Sequence, residues 1–267
     1  MKQNRLIAIT IIRNEENNYL DDWLKNIGQI ADYHVFLDDA SDDNTPAVVA
    51  EHLKSHRGEL HRRKTSLFRE NEPALRSELW QHVRRVAHEG DWILIVDADE
   101  FYDERLMKIK PKLIANKFPD AEVIKVSCLD MWTPREYRCD GAWSPMKTDV
   151  RIIRYHDVPF GETGHALHLP PYPASTNIAK KIDIFIPKIH LAYLRVSDRK
   201  QRYDFYLRNV SQNADPVSYK HALSIMNQNV ELKPYFDFWS RMWATFHGWK
   251  LYFQIYETMK KHRREKK

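Results

Sequence analysis

Residues 91–102 read DWILIVDADEFY. Trp92 to Val96 form an unbroken apolar run with Ile93, Ile95 and Val96 β-branched, which is the composition of a short strand buried on both faces. The run stops abruptly at Asp97-Ala98-Asp99-Glu100. The same succession of apolar strand and acidic end occurs twice upstream: Leu6 to Ile12 runs into Asn14-Glu15-Glu16, and Tyr33 to Leu37 runs into Asp38-Asp39-Ala40-Ser41-Asp42-Asp43-Asn44-Thr45. Helical patterns separate these runs, one around Tyr19 to Ile27, one opened by Pro46 and reaching about His56, and one from Ala74 to His88 behind Pro73. The third carries Leu75, Leu79, Val83 and Val86 on one face at spacings of three and four. With a short strand near Glu59 to Arg62, the alternation predicts an α/β fold: a parallel sheet covered by helices.

In open α/β sheets ligands bind at the carboxyl ends of the strands, where these acidic residues sit. Clustered carboxylates repel one another, a cost that a divalent cation or a set of hydrogen-bond donors relieves. Asp42, Asp43 and Asn44 precede a helix and serve equally well as its cap. Asp97 and Asp99, read as an extended D-x-D, would project to the same side and face one ligand. That spacing predicts a hard-cation site.

The remainder of the chain sets the limits. Its 267 residues, 43% hydrophobic and 30% charged, suffice for a globular core without staples. None of the seven glycines falls in a G-x-G-x-x-G or G-x-x-x-x-G-K pattern, so dinucleotide and P-loop cradles are excluded. The net charge of +5 is concentrated in residues 260–267 (KKHRREKK); without their six Lys/Arg and one Glu, 36 groups of each sign remain. A basic nucleic-acid-binding domain is therefore not expected. Cys128 and Cys139 fit neither a disulfide framework nor a zinc ribbon, and Leu6 to Ile12 is too short for a signal core or a membrane span, which together give a cytoplasmic expectation. Residues 120–195 are mixed and rich in proline, with strands at AEVIKVSCL, DVRIIRY and IDIFIPKIH; from Ser197-Asp198, read as a cap, the pattern turns helical, with another helix from near Pro234. The expected organisation is a domain over 1–230, in halves 1–105 and 106–230, followed by an aromatic helix with a basic tail over 231–267.

The segments IAITIIRNEENNYLDDWL, VFLDDASDDNT, ALRSELWQHV and DWILIVDADEFY, in this order and spacing over residues 5–105, resemble the nucleotide-sugar-binding half of the glycosyltransferase family two type, which implies the GT-A fold, a three-layer α/β sandwich with a mixed, mostly parallel sheet and C-terminal helices. A second stretch, IHLAYLRVSDRKQRYDFY, is similar to a His-aromatic segment of bacterial members with a DADEF-type motif. The resemblance implies that Asn14 and Glu15 line a nucleotide pocket, that Asp39 with Asp38 beside it holds base or ribose, and that Arg76 approaches base or phosphate. It implies that Asp97 and Asp99 place Mn²⁺ or Mg²⁺ against a diphosphate, with His190 as a further ligand to metal or phosphate and Arg202 near phosphate. Transfer from a nucleoside diphosphate sugar, UDP preferred, to a glycan or lipid-linked acceptor with inversion is the implied activity, as in cell-envelope polysaccharide synthesis.

Such a transfer needs positive charge at the leaving diphosphate, the part Asp99 and its cation would play, and a base for the acceptor hydroxyl. Asp130, Glu136, Asp140, Glu162, His165 and His168 are the candidates for the base. Glu162 comes first, because the glycines beside it in FGETGHALH permit unusual backbone angles, and Asp140 is its main rival. Trp132 and Trp143 either stack on sugar or cover the core. Ten of the 32 aromatics lie in residues 235–256, ahead of the basic tail; this end packs on the domain, pairs two copies, or attaches peripherally to the inner face of a membrane. Two rival functions remain: a D-x-D phosphotransferase of the haloacid dehalogenase type, and a non-catalytic module binding glycan or membrane.

Overall fold

The computed structural model describes residues 3–145, 148–161, 170–182, 184–209 and 216–263. In chain order its elements are β1 (Leu6–Ile12), α1 (Leu20–Ile30), β2 (Tyr33–Asp38), α2 (Thr45–His52), β3 (Gly58–Arg62), α3 (Phe68–Val86), β4 (Trp92–Ile95), β5 (Glu100–Tyr102), α4 (Glu104–Ile114) and β6 (Val123–Asp130). There follow β7 (Glu136–Arg138), a 3₁₀ turn (Gly141–Trp143), β8 (Thr148–Arg154), β9 (Lys181–Ile182), β10 (Pro187–His190), α5 (Val196–Asn209), α6 (Pro216–Ser224), β11 (Leu232–Pro234), α7 (Phe238–Phe246) and α8 (Lys250–His262). The chain divides into two compact units. Met1–Val126 with Asp149–Ile186 form the first, and Ser127–Thr148 with Pro187–Lys267 form the second.

In the first unit β1 pairs in parallel with β2 on one side and with β4 on the other, and β2 pairs in parallel with β3. β8 lies antiparallel to β4, with Trp92 opposite Arg154 and Leu94 opposite Ile152. The sheet is thus mixed and mostly parallel, the parallel part as the alternation of elements predicts and the mixed sheet as the resemblance implies. Successive residues of a strand face opposite ways, so β1 serves two cores. Ile7 and Ile9 join Val35, Leu37, Ile93 and Ile95 against Leu75, Leu79, Trp80 and Val83 of α3. On the other side Phe36 meets Trp23 of α1 edge to face at 6.1 Å, and His34 meets His52 of α2 at 5.1 Å. These are the three expected layers.

α1 buries Leu20, Trp23, Leu24, Ile27 and Ile30, a stripe spaced for one helical face. Fully covering side chains of this size contributes roughly 1.5–3 kcal/mol each. The same helix fixes the segment beyond β4. The Trp23 indole donates to the Glu100 carbonyl at 3.0 Å, while the Asn26 amide donates to the Tyr102 carbonyl at 2.9 Å and accepts from the Tyr102 N–H at 3.1 Å. At the opposite end of β4, Asp91 is gripped by Arg5 through its backbone N–H at 2.7 Å and its guanidinium at 2.8 Å.

α3 is kinked at Asn71, whose carboxamide accepts from the Ala74 N–H at 3.0 Å and caps the straight part that Pro73 opens. The strand expected over IDIFIPKIH is shorter, being split into β9 and β10 with 184–186 outside any strand.

The second unit pairs the end of β6 with β10 in parallel, Ser127 opposite Pro187 through Asp130 opposite His190. β7 and β11 form an antiparallel ribbon, and the N–H groups of Tyr235 and Phe236 both donate to the Arg135 carbonyl. This ribbon ties residues 232–236 to residues 135–138 of the same unit. Pro234 belongs to the ribbon, and the helix expected there starts after Asp237. Ser197 and Asp198 lie inside the first turn of α5, and Asp198 accepts from Arg195 at 2.7 Å. The aromatic stretch 235–256 is two helices, divided at Gly248, whose φ of 66° is left-handed backbone that suits glycine. Cys128 and Cys139 are free thiols. Among the described residues no helix is long and apolar enough to cross a membrane.

Candidate functional site

Because β1, β2 and β4 run in parallel, the segments that follow them leave the same edge of the first unit's sheet. The segment after β1 and the segment after β2 are tied together. The N–H of Asn14 donates to Ser41 Oγ at 3.0 Å, the Asn14 side chain accepts from the Asp42 N–H at 3.0 Å, and the Glu15 N–H donates to Thr45 Oγ1 at 2.7 Å. Glu16 accepts from the Asn44 amide at 2.7 Å, and Glu15 accepts from Asn18 at 3.0 Å. Asn14 (φ 54°) and Ala40 (φ 60°) are left-handed; for alanine this is a strained backbone, of a kind that collects at binding sites.

Asp38 and Asp39 are both fully buried. Asp38 accepts from Ser41 Oγ and from Arg62 Nε, the latter at 3.1 Å. Asp39 accepts from Ser66 Oγ at 2.6 Å and from the N–H groups of Leu67 and Phe68 at 2.7 and 3.1 Å, with Arg63 at 3.6 Å. This carboxylate therefore fastens the start of α3. Arg76, on the same helix, is paired with Glu72 one turn back at 2.6 Å.

The D-x-D is a tight turn, which corrects the extended reading. The Glu100 N–H donates to the Asp97 carbonyl at 3.0 Å, and Glu100 Oε2 accepts from the Asp97 N–H at 3.2 Å. Ala98 fills the buried side of the turn, and Asp97 and Asp99 are each only partly covered, the Asp97 side chain being 43% exposed. Behind them Arg151 of β8 donates to Glu100 at 2.9 Å and lies 3.6 Å from Asp97. Burial works against the Arg151 charge, but Glu100, then Asp97, outweigh it and raise its pKa above the ordinary arginine range. Arg151 is the residue that reading the sequence missed. Its position in DVRIIRY carries no motif, and only the antiparallel register of β8 against β4 brings it beside the turn.

The second unit holds the remaining candidates. His190 Nδ1 lies 2.6 Å from Asp130 Oδ1, directly across the β6–β10 ladder, and Cys128 stands two residues earlier on the same face as Asp130. Cys128, Asp130 and His190 could share a metal ion, as could Glu59, His61 and His82 in the first unit. Burial, then the Asp130 charge, raise the Cys128 thiol pKa. Asp140 is gripped at both oxygens by the fully buried Arg138, at 2.7 and 2.8 Å. That pairing lowers the proton affinity of Asp140, so it is poorly suited to act as a base. The Arg138 guanidinium lies 4.9 and 4.7 Å from the rings of Trp132 and Trp143, which meet each other edge to face at 5.4 Å, and both indoles are buried in a core with Tyr193 and Ile225. They cover a core, the second of the two expected uses. Arg202 lies over the Tyr193 ring at 5.5 Å. Glu162, with His165 and His168, falls outside the described residues.

A cleft of about 240 Å³ lined by Trp80, Glu122, Arg154, His156 and Lys180 lies away from the D-x-D turn. Arg154 is opposite Trp92 at the start of β4, so this cleft opens at the other edge of the sheet.

No family model matches the chain, and no curated sequence does. Among solved structures it is similar to S. aureus TarS at 14% identity and a TM-score of 0.46, covering 83% of this chain and 43% of that one. Residues 1–349 of the same protein in complex with UDP-GlcNAc give 19% identity and 0.38, with coverage of 48% and 35%. The glucosyl-3-phosphoglycerate synthase from Mycobacterium tuberculosis, in complex with phosphoglyceric acid, gives 13% and 0.32, with coverage of 47% and 44%. The chain spans less than half the length of the first of these.

Proposed function

We propose that the chain is a GT-A-like glycosyltransferase that moves a sugar from a nucleoside diphosphate, UDP preferred, to a glycan or lipid-linked acceptor with inversion. The observation that carries this reading is the Asp97–Asp99 turn at the carboxyl end of a strand inside a mostly parallel sheet, where such folds bind their ligands. Its two carboxylates are hard oxygen donors of the kind Mg²⁺ or Mn²⁺ takes when phosphate oxygens and water complete the shell. Asp97 and Asp99 would hold that cation, which when bound supplies positive charge for a diphosphate leaving group. Arg151 keeps the turn in shape by neutralising the buried Glu100, and adds fixed positive charge at the same place. Asn14 and Glu15, on the segment after β1, would line the nucleotide pocket, and Asp38 and Asp39 would act on it through the segments they pin rather than by direct contact. Arg76, Arg202 and His190 are the groups proposed for phosphate. The acceptor hydroxyl gives up its proton as its oxygen bonds to the anomeric carbon and the diphosphate departs; Glu162 is the proposed base.

Calorimetric titration with UDP, GDP, CDP and ADP, with and without Mn²⁺, tests this reading. One nucleotide should bind in a metal-dependent way, and Asp99→Asn should weaken that binding by about tenfold or more. Undiminished binding to the variant overturns the metal assignment, and failure of all four nucleotides to bind overturns the donor class.

A further inference from the structure

Helix α7 faces the wrong way for a helix packed on a water-exposed domain. Phe238, Trp239, Met242, Trp243 and Phe246 are 72, 68, 50, 45 and 86% exposed. At about 100° per residue they fall within one arc of about 140°. The small residues face inward instead. Ala244 is buried, and Ser240 Oγ lies 2.7 Å from the Tyr252 hydroxyl and donates to the Tyr235 carbonyl at 2.9 Å. The orientation is held at both ends. Asp237 and Ser240 form a reciprocal capping box, and Trp243 packs edge-on against the buried Trp249 at 4.4 Å. A continuous bare surface of five large apolar side chains marks a place of contact.

The charges beside it indicate what it contacts. α7 contains no acidic residue; the Arg241 guanidinium lies 4.8 Å from the Tyr256 ring, and Lys260 Nζ lies 5.4 Å from the same ring, so α8 brings its basic end alongside. Lys250, Lys260, Lys261 and Arg263 are exposed, and the one acidic side chain of α8, Glu257, is bonded to Lys260 at 3.0 Å. Residues 264–267 add three basic groups and one acidic group to the sequence. Tryptophan and phenylalanine beside clustered cations are what an anionic lipid surface selects: rings at the headgroup level, ammonium and guanidinium groups on phosphate. At roughly 1.5 Å per residue the helix is about 13 Å long, so it can lie on a bilayer but cannot span one.

We propose that α7 is a membrane-interface helix, lying flat on an anionic bilayer with Phe238, Trp239, Met242, Trp243 and Phe246 inserted and the cations of α8 on the lipid phosphates. The proposal does not depend on the sugar donor, and its test needs no substrate.

The full chain is mixed with vesicles of phosphatidylcholine containing phosphatidylglycerol, or of phosphatidylcholine alone, and followed by co-sedimentation and tryptophan emission. Trp239 and Trp243 report on the surface, since Trp23, Trp80, Trp92, Trp132, Trp143 and Trp249 are buried. The chain should bind the anionic vesicles with a blue shift, and lipids brominated near the headgroup should quench the native protein. Trp239→Ser and Phe246→Ser should each cut partitioning on the order of tenfold, and Lys261→Gln about fivefold, an effect that added salt removes. Absence of binding, binding that the two aromatic substitutions leave unchanged, or absence of quenching overturns the proposal. A dimer in sedimentation velocity that Trp239→Ser dissociates also overturns it, because the surface would then be an interface between copies of the chain.

Discussion

Asp38 and Asp39 end β2 just as Asp97 and Asp99 follow β4, and both strands lie beside β1 and run the same way. By residue type and topological place the two pairs are equivalent. Their surroundings are not. The first pair is fully buried among donors: Ser41 and Arg62 around Asp38, and Ser66, Leu67, Phe68 and Arg63 around Asp39. The second pair sits on a turn whose buried charge, Glu100, is balanced by Arg151, so that Asp97 stays 43% exposed. A cluster of carboxylates is relieved either by donors from the protein or by a cation from outside. β2 uses the first means, and the turn after β4 retains the capacity for the second.

The largest expected effect tests the β2 side of this comparison. Asp39→Ala removes the acceptor for two backbone N–H groups and a hydroxyl and leaves these buried donors unsatisfied, while Arg63 keeps its ion pair with Glu78; the change should cost on the order of 3 kcal/mol in unfolding free energy. Urea titration at pH 7.5 measures it. A loss below about 1 kcal/mol would mean that Asp39 does not hold α3 in place and would return it to the list of groups available to a ligand.

Much of this was legible in the sequence because burial leaves a pattern. LIAITII, YHVFL and WILIV read as strands since strands covered on both faces carry no polar alternation, and α1 and α3 read as helices from their apolar spacing. The acidic strand ends were legible as places. Which carboxylate was already satisfied was not, because the donors to Asp39 come from residues 27 to 29 positions away and the partner of Glu100 comes from 51 positions away. The aromatic end was legible only as composition: the inward turn of Ala244 and Ser240 on α7 depends on the capping box and on contacts with α8.

The next effect guards the comparison against a false reading at low pH. His34, at the other end of β2, is buried, and neither ring nitrogen finds a hydrogen-bond partner among the described residues. Burial, then the neighbouring His52, His56 and Lys110, lower its pKa from 6.5 to about 3, and burial with His56 lowers that of His52 to about 4. These groups stay neutral in the fold while the unfolded chain takes up protons below about pH 6.5. Stability is therefore full above that pH and falls as the pH drops toward 3. For His34 alone the loss should be on the order of 2 kcal/mol at pH 5. His34→Phe should flatten the profile between pH 7 and 5; an unchanged profile would assign the acid sensitivity elsewhere, the strand-end carboxylates included.

The smallest expected change in stability is at Asp97, and its smallness is informative. Asp97→Asn keeps the backbone turn, since the hydrogen bonds that close it use the Asp97 carbonyl and N–H. It removes one half-exposed ion pair to Arg151, a contact worth about 0–1 kcal/mol. Urea midpoints should therefore barely move, whereas metal-dependent donor binding should fall about tenfold or more as one of the two proposed oxygen ligands is lost. Should Asp97→Asn instead destabilise the chain as strongly as Asp39→Ala, the two pairs would be the same kind of structural feature. The turn after β4 would then have no claim to a cation, and the proposed site would have to be sought at other residues.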